Sequence, residues 1–329
     1  MNTTIDFLGE TIAEYSGCQI SELYRDPDKS IRAQQKARER IGSLFGHDIG
    51  NPRLFVPSFL TVEIYGGRIS YTEDVDPGVA APAVRDISKI KEYRVPDSYW
   101  EQPCIQFYVR MRTRFHQELG YTPSIIRDPN GPATAAKMLR GSDFFTDLIL
   151  HPQQARQLLS LATDNLICYR EEMSRRQGLE YRNCPGGSWD DVAGLISPQM
   201  YDSFIVPCYR RIIAYFQPTH LYFHSEELHR EHLHYIRDLP IECLDWGWDN
   251  HLSIDIVRRE TDFRFSWNFN YIRDIREGTP QSIRDLYRRR LDEGGERLLR
   301  MKACVPRGTP RDNVATLIEV SREYAGTQQ

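Results

Sequence analysis

The sequence predicts an α/β protein built as a (β/α)8 TIM barrel with an N-terminal α/β extension. The first indication is that, from about residue 105 onward, helical patterns alternate with short strands rich in apolar and aromatic residues. Repeated strand–helix units are typical of a parallel sheet. The second indication is the number of these units, which favours a closed barrel over an open sheet. In such barrels the catalytic groups lie at the carboxyl ends of the strands.

The first third of the chain is expected to extend and cover the barrel. We treat residues 1–329 as one domain, in which residues 1–104 form the N-terminal extension and covering segments. Residues 74–104 are rich in loops. The predicted elements before them are a charged helix, 28–45, and two strands, 54–64 and 68–71, around the Gly66-Gly67 turn.

The rest of the chain supplies the repeating units. The predicted strands are 122–127, 219–224, 241–244, 263–267 and 297–304. The predicted helices are 106–119, 131–139, 144–150, 152–176, 200–216, 228–237, 280–293 and 310–324, with one more helix between the strands at 241–244 and 263–267.

Composition excludes several classes of protein. The chain is 40% hydrophobic and 27% charged, as soluble globular proteins are. Its formal net charge of −4 leaves no surplus of positive charge for general nucleic-acid binding. No apolar stretch approaches the length of a membrane span, and the N-terminus lacks the pattern of a signal peptide. The seven cysteines follow no framework spacing, which indicates free thiols in a reducing cytoplasm.

The candidate reaction centre consists of a histidine, a glutamate and a distant cysteine. His224 and Glu226 end an aromatic segment, and at the period of two of a strand they point to the same side. Cys304 ends a second predicted strand, which stops at Pro306. If both strands belong to one parallel barrel, an imidazole, a carboxylate and a thiolate converge on its C-terminal rim. Three such ligands with an open fourth position are what a catalytic zinc needs.

Each candidate also has a plain structural interpretation. A single His-x-Glu pair is a weak signal, and Cys304 alone is more often a small buried hydrophobe than a ligand. His229 and His232 have a workable metal spacing on a predicted helix, but their charged neighbours favour a solvated helix face. Asp190 and Asp191 can face the site, or one of them can cap a helix.

Four segments, in order, resemble the uroporphyrinogen decarboxylase superfamily. They are Gly131-Pro132-x-Thr134-Ala135-Ala136 with Leu139-x-Gly141, Trp189-Asp190-Asp191 through Ser197-Pro198, Trp267-Asn268 through Gly278-Thr279-Pro280, and Cys304-x-Pro306-x-Gly308-Thr309-Pro310. The match runs from roughly residue 45 to residue 320, and the ordered combination is far more specific than any single piece. Trp267 stands where a glycine is usual. The resemblance supports the barrel.

Within that superfamily, the chain is similar to the zinc methyltransferases of corrinoid-dependent methyl transfer. Nothing in residues 1–44 resembles the Arg-rich motif of the porphyrinogen decarboxylases. Members that act on thiols carry His-x-Cys on one strand and a distant cysteine. Here His224 and Cys304 match the outer positions, while Glu226 replaces the middle cysteine. This pattern resembles the O-demethylase methyltransferases, which take a methyl group from a methoxylated aromatic compound.

The resemblance implies a zinc-dependent O-demethylase component. Its zinc ligands, and through zinc its catalytic residues, would be His224, Glu226 and Cys304. Zinc would act as a Lewis acid at the ether oxygen and stabilise the leaving phenolate. The methyl acceptor would be cob(I)alamin on a separate corrinoid-binding protein, because this chain has no Asp-x-His-x-x-Gly corrinoid signature.

Substrate recognition needs a flat apolar slot with a few polar anchors. The segment 245–250 offers aromatic walls and hydrogen-bonding groups, although two tryptophans packing in the barrel mouth explain it equally well. The candidate substrate-binding residues are Asp245, Trp246, Trp248, Asn268 and Asp191. Cys243 is a reserve metal ligand, for which a core-facing thiol is the better interpretation.

Three other functions stay open. They are a methyl-corrinoid:thiol methyltransferase of the coenzyme M type, a decarboxylase, and a binding module without catalysis. Glu226 in place of cysteine argues against the first, and the missing arginine motif weakens the second. We expect a cytoplasmic enzyme whose partners are the corrinoid protein and a small aromatic methyl ether, with no nucleic acid and no membrane. The sequence leaves open whether two copies form a homodimer.

Overall fold

Six parallel strands form the central sheet. The computed structural model describes residues 2–125, 130–248 and 251–325. Its strands are β1 (Asn2–Phe7), β2 (Arg68–Ser70), β3 (Gly78–Ala81), β4 (Gly186–Asp190), β5 (Leu221–Ser225), β6 (Ile241–Asp245), β7 (Arg264–Asn268) and β8 (Leu298–Val305). The sheet order is β1-β8-β7-β6-β5-β4, so the first and last strands of the chain lie side by side. A pairing of the first with the last strand is typical of a TIM barrel. Among the described residues the sheet has six strands, where eight are expected, and β1 and β4 form its two edges.

Helices surround the sheet, and a small hairpin of β2 and β3 lies apart from it. The α-helices are α1 (Gly9–Ser16), α2 (Ile20–Arg25), α3 (Pro27–Phe45), α4 (Pro103–Leu119), α5 (Pro132–Arg140), α6 (Asp143–Leu150), α7 (Pro152–Arg176), α8 (Pro198–Met200), α9 (Val206–Phe216), α10 (Arg230–Ile236), α11 (Ile254–Glu260), α12 (Pro280–Gly294) and α13 (Arg311–Ala325). Short 3-10 helices span Leu60–Tyr65, Ile87–Glu92, Ala193–Leu195 and Gly295–Arg297, and π-helices span Tyr201–Ile205 and Tyr271–Arg276.

The alternation of side chains along β5 determines which of them enter the barrel. Leu221 and Phe223 are buried on the side of the helices. Tyr222 and His224 lie on the opposite side, where His224 is paired with Asp245 of β6. Because successive side chains of a strand alternate between its faces, the register of β5 and β6 brings polar groups together inside the barrel.

A buried carboxylate joins β4 to α5. Asp190 accepts hydrogen bonds from the backbone N–H of Ala133 (3.1 Å) and of Thr134 (2.6 Å), in the first turn of α5, and from the Tyr209 hydroxyl (2.6 Å). Gly131 allows this approach, since a Cβ there would lie 2.6 Å from the Cβ of Asp190. Asp190 therefore caps a helix that is distant in sequence, which is one of the two roles that the sequence leaves open.

The helices and the strands of the C-terminal half are confirmed, but the first half of the chain differs from the prediction. The strands β1, β3 and β4 and the helices α1 and α2 were not predicted from the sequence. The strand expected at 54–64 is wrong, because Leu60–Tyr65 forms a 3-10 helix that buries apolar side chains and ends at Gly66, whose φ is +85°. The segment 68–71 pairs with β3 instead.

The strand expected at 122–127 is not found among the described residues. Residues 122–125 have no regular secondary structure, and residues 126–127 lie outside the described residues. None of the described helices is long and apolar enough to cross a membrane. All seven cysteines are free thiols.

We predict that replacing Asp190 by asparagine changes how stability depends on pH. Burial raises the pKa of Asp190 from 3.8 to about 6, although its four hydrogen bonds oppose the shift. The folded protein therefore binds the Asp190 proton more tightly than the unfolded chain does. The stabilisation of the folded state by this proton is complete below about pH 4 and is lost as the pH rises through about 6. The free energy of unfolding of the wild type, minus that of Asp190→Asn, should fall by up to about 3 kcal/mol between about pH 4 and 7.

Urea denaturation at each pH measures this difference. Asp238→Asn is the matched control, because the Asp238 side chain is 77% exposed and the difference should stay flat. A wild-type advantage that remains constant or grows as the pH rises would contradict the raised pKa of Asp190.

Candidate functional site

His224 lies near the C-terminal end of β5, among three carboxylates. Its Nδ1 is 3.2 Å from Oδ1 of Asp245. Its Nε2 is 3.3 Å from Oδ1 of Asp191 and 3.6 Å from Oε1 of Glu226. We call these four residues the His224 cluster. One ring nitrogen thus faces the barrel interior at Asp245, and the other faces the rim.

Asp245 is the buried centre of this arrangement. Besides His224, it accepts hydrogen bonds from the Tyr222 hydroxyl, from Nδ2 of Asn268 at 2.5 Å and from the backbone N–H of Gly247 at 2.9 Å. Burial alone would raise the pKa of Asp245, but its hydrogen bonds, above all that with His224, lower it to about 2. Asp245 is therefore ionised at neutral pH and holds the imidazole in one orientation.

The His224 cluster carries an excess of negative charge. Burial acts against a charge on His224, but hydrogen bonds to Asp191, Asp245 and Glu226 together raise the pKa of His224 well above its usual value. One imidazolium faces three carboxyl groups, so the local charge favours binding of a further cation. Histidine and carboxylate are also two of the three ligand types that zinc takes in proteins.

Glycines leave room for Glu226. Gly247 has a φ of +69°, and a Cβ there would lie 2.6 Å from Oε1 of Glu226. Gly194 packs against the backbone of Glu226 and Glu227, where any side chain would collide. Glu227 itself has a φ of +59°, which is uncommon for a residue other than glycine. The loop after β5 therefore packs against Gly194 and Gly247, and its backbone is left-handed at Glu227.

Cys304 lies at the C-terminal end of β8, across from Asp6 of β1. Burial raises the pKa of Cys304, and the negative charge of Asp245 raises it further, because both disfavour the thiolate. Within the described ranges, Cys304 makes no hydrogen bond or ion pair with His224 or Glu226. No three His, Cys, Asp or Glu side chains of the described residues are arranged so that they could hold a metal ion.

Trp246 and Trp248 line a cavity of about 200 Å³, together with Asn268. Trp246 is only 2% exposed and packs against Phe265, with ring centroids 5.5 Å apart. Trp248 is 37% exposed and meets Tyr271 edge to face at 4.7 Å. Trp246 thus has a packing role as well, while Trp248 is accessible. Residues 249–250, which the sequence analysis placed in the same slot, lie outside the described residues.

Asn268 has an unused hydrogen-bond acceptor. A carboxylate can only accept, so the amide group of Asn268 must face Asp245 with its Nδ2. Its Oδ1 is buried and has no partner among the described residues. A ligand that carries an N–H or O–H group could therefore bind to this oxygen.

The comparisons with known proteins agree with this architecture. The sequence matches the family model for Uroporphyrinogen decarboxylase (URO-D) over residues 1–324. The chain belongs to the URO-D family. Its structure is similar to that of a methyltransferase from Methanosarcina mazei, with a TM-score of 0.70 and 18% sequence identity, over 98% of this chain and 92% of that chain. At this identity the likeness concerns the fold, which is the predicted TIM barrel. No curated protein matches the sequence.

Two other candidate ligands of this URO-D-family chain have structural roles. His232 is fully buried, and its Nδ1 accepts the N–H of His229 at 3.0 Å while its Nε2 lies 2.8 Å from the Ile196 carbonyl oxygen. Both ring nitrogens are therefore in use, and the solvated helix face predicted here is wrong for His232. Cys243 is buried, and burial raises the pKa of its thiol to about 12, so it is protonated at neutral pH.

Two residues of the URO-D-family site were not predicted from the sequence. Tyr222 donates to Asp245, and Gly247 makes room for Glu226. Tyr222 precedes His224 by two positions on the same strand, so the period of two was an available signal. No comparable signal existed for Gly247, because its role depends on a contact between two loops.

We predict that Gly247→Ala weakens the fold and displaces Glu226. Alanine at a φ of +69° costs about 1–2 kcal/mol, and its Cβ would also collide with the Glu226 carboxylate. Gly120→Ala is the matched control, because Gly120 has a φ of +75° and no atom within 4 Å of the added Cβ. Chemical denaturation should show a loss at least about 1 kcal/mol larger for Gly247→Ala. Equal losses in the two variants would mean that Glu226 does not occupy this position.

Proposed function

We propose that this chain is a zinc-dependent methyltransferase, which moves a methyl group from a methoxylated aromatic compound to the cob(I)alamin of a partner corrinoid protein. The observation that carries the proposal is the His224 cluster at the C-terminal rim of a URO-D-family barrel, where the catalytic groups of such barrels lie. The methyltransferase from Methanosarcina mazei supports the reaction class, because it shares the fold over nearly its whole length.

Imidazole, carboxylate and thiolate are the ligand types that zinc takes in proteins, and the proposed ligands are His224, Glu226 and Cys304. These three side chains do not form a preassembled metal site among the described residues, so they would have to come together when zinc binds. Asp245 occupies Nδ1 of His224, so Nε2 would bind the metal after losing the proton that it directs toward Asp191 and Glu226. A carboxylate behind a metal-binding histidine is the usual arrangement. Nε2 and Oε1 of Glu226 are 3.6 Å apart, near the separation of roughly 3.4 Å between two ligands of one tetrahedral zinc. When bound, zinc would supply a Lewis acid for the ether oxygen.

The residues of this chain would then position the reactants. Asp245 keeps the imidazole of His224 in one tautomer and one orientation, and Tyr222 and Asn268 keep Asp245 in place. Asp191, 3.3 Å from Nε2 of His224, is exposed enough to meet a substrate at the rim. The cobalamin-bearing partner would approach this open C-terminal face.

The aromatic part of the substrate is proposed to bind near Trp246 and Trp248. Their cavity of about 200 Å³ is smaller than the sites of drug-sized ligands, so a compound with a single ring is expected. The free Oδ1 of Asn268 would accept a hydrogen bond from a phenolic hydroxyl. Asp245 would contribute by holding Asn268, and Asp191 would contact the substrate beside His224.

Metal content and demethylation together test this function. The chain, purified without oxygen, should contain about one zinc per molecule, and Glu226→Gln and Cys304→Ser should each weaken zinc binding by at least about tenfold. Consumption of methoxyaromatic compounds in the presence of cob(I)alamin should fall in parallel with the zinc content.

Two variants serve as matched controls. Glu231→Gln changes an exposed glutamate of α10, and Cys168→Ser changes a half-buried cysteine of α7, so both should keep zinc and activity. Wild-type protein that holds no zinc even after reconstitution would contradict the proposal, as would full zinc content in both site variants. Methylation of a thiol without any consumption of aryl ether would assign the chain to the thiol methyltransferases instead.

A further inference from the structure

An arginine side chain lies inside the barrel, below the level of the His224 cluster. Arg300, Lys302 and Cys304 alternate along β8 with buried apolar residues, so they share the inner face of the strand. Arg300 precedes Cys304 by four residues, which places it about 13 Å below that thiol along the strand. Its guanidinium carbon is 4.7 Å from the centre of the Tyr222 ring. Because Tyr222 belongs to β5, three strands away in the sheet, the Arg300 side chain reaches across the barrel interior.

The guanidinium of Arg300 has no protein partner for its charge. Its Nε is buried and makes no hydrogen bond in the part of the chain that the structure describes. Among the same residues, Arg300 forms no ion pair. The contact with the face of the Tyr222 ring offsets part of the cost of burying the charge. Buried charges in proteins are nevertheless usually paired with an opposite charge, and this one is not.

A buried hydroxyl beside Arg300 also lacks a partner. Ser266 of β7 is aligned with Arg300 of β8, and neighbouring strands lie about 5 Å apart. Ser266 is 1% exposed, and its Oγ makes no hydrogen bond within the described ranges. Asn268, two positions further along β7, points into the barrel and bonds to Asp245. The Ser266 hydroxyl therefore points into the same interior as the guanidinium.

The polar groups around this space do not neutralise Arg300. Asp245 has its own cation, because its Oδ1 is 3.2 Å from Nδ1 of His224. Tyr222 donates its hydroxyl proton to Asp245 and is therefore neutral. Burial raises the pKa of Cys243 to about 12, although Arg300 opposes the shift, so this thiol is protonated at neutral pH. The positive charge of Arg300 is thus left without a counter-ion.

The chemistry of this space selects a small anion with a single charge. Guanidinium N–H and serine O–H groups both donate, so the ligand must accept hydrogen bonds. Asp245, which accepts the hydrogen bond of Tyr222, would repel a dianion such as sulfate more strongly than a monovalent ion. Lys302, on the same face of β8, adds positive charge nearer the rim. A water molecule could bind to the same donors, but it would leave the charge of Arg300 unbalanced.

We propose that the barrel interior binds a chloride ion between the guanidinium of Arg300 and the hydroxyl of Ser266. The ion would balance the charge of Arg300 and so keep this side chain against Tyr222, which in turn bonds to Asp245. Tyr222 precedes His224 by two residues, which places the ion roughly 7 Å below the His224 cluster. The site is therefore separate from the reaction centre at the rim, and it does not depend on the proposed function.

Thermal unfolding at constant ionic strength tests this site. Sodium gluconate, whose anion is much larger, is replaced stepwise by sodium chloride. The Tm of the wild type should rise to a plateau, by at least about 2 °C, because an ion that binds only the folded chain stabilises it by mass action. Arg300→Met keeps an unbranched side chain without the charge and should abolish this rise. Ser266→Ala should increase the chloride concentration at half the effect by about threefold or more.

Arg289→Met is the matched control, because Arg289 is an exposed arginine of α12 and its loss should leave the chloride response unchanged. Circular dichroism checks that each variant is folded. If Arg300→Met does not fold, Ser266→Ala decides, since it removes only one hydroxyl. A wild-type Tm without a plateau in chloride would overturn the inference, as would the same response in the wild type and in the folded site variants.

A heavier halide locates the ion. Crystals grown in sodium bromide should give an anomalous peak, at the bromine absorption edge, in contact with the Arg300 guanidinium and Oγ of Ser266. Density for a water molecule at this position, without an anomalous signal, would overturn the assignment of an anion. Stabilisation by sulfate as strong as that by chloride, and equally dependent on Arg300, would overturn the preference for a single charge.

Discussion

The buried carboxylate of Asp245 is the interaction on which the site depends. An ionised group inside a barrel is costly unless its oxygens are hydrogen-bonded. Here both neighbouring strands and one loop supply the donors, which are Tyr222 and His224 of β5, Asn268 of β7 and the backbone of Gly247. The same hydrogen bonds that stabilise this charge therefore also orient the imidazole and secure the alignment of three strands at the rim.

Charge is distributed unevenly around the barrel mouth. The His224 cluster, from β4 to β6, has three carboxylates around one histidine, whereas a cavity near β8 is lined by two cations, Lys302 and Arg53, and by two carboxylates, Asp6 and Asp76. Besides burial, which raises the pKa of Cys304, charged residues of both regions affect it: Asp245 raises it, and Lys302 and Arg53 lower it.

Local patterns in the sequence predicted much of the fold and part of the site. Pro132, which suits a first helical turn, placed the start of α5, and the period of two of a strand placed His224 and Glu226 on the same side. β4 was not predicted because its two glycines weaken the strand pattern in the sequence. Its strand conformation depends on pairing with β5. The hydrogen bonds of Asp245 with Tyr222 and with Asn268 each join residues 23 positions apart, and they depend on strand register that no local pattern contains.

The most direct test of the account is a crystal structure of the zinc-loaded chain with an anomalous difference map at the zinc absorption edge. The account predicts one peak, about 2.0–2.3 Å from Nε2 of His224, from Glu226 and from the sulfur of Cys304, with Nδ1 of His224 still bonded to Asp245. A peak at another place, or a zinc that leaves Cys304 unbound, would contradict it.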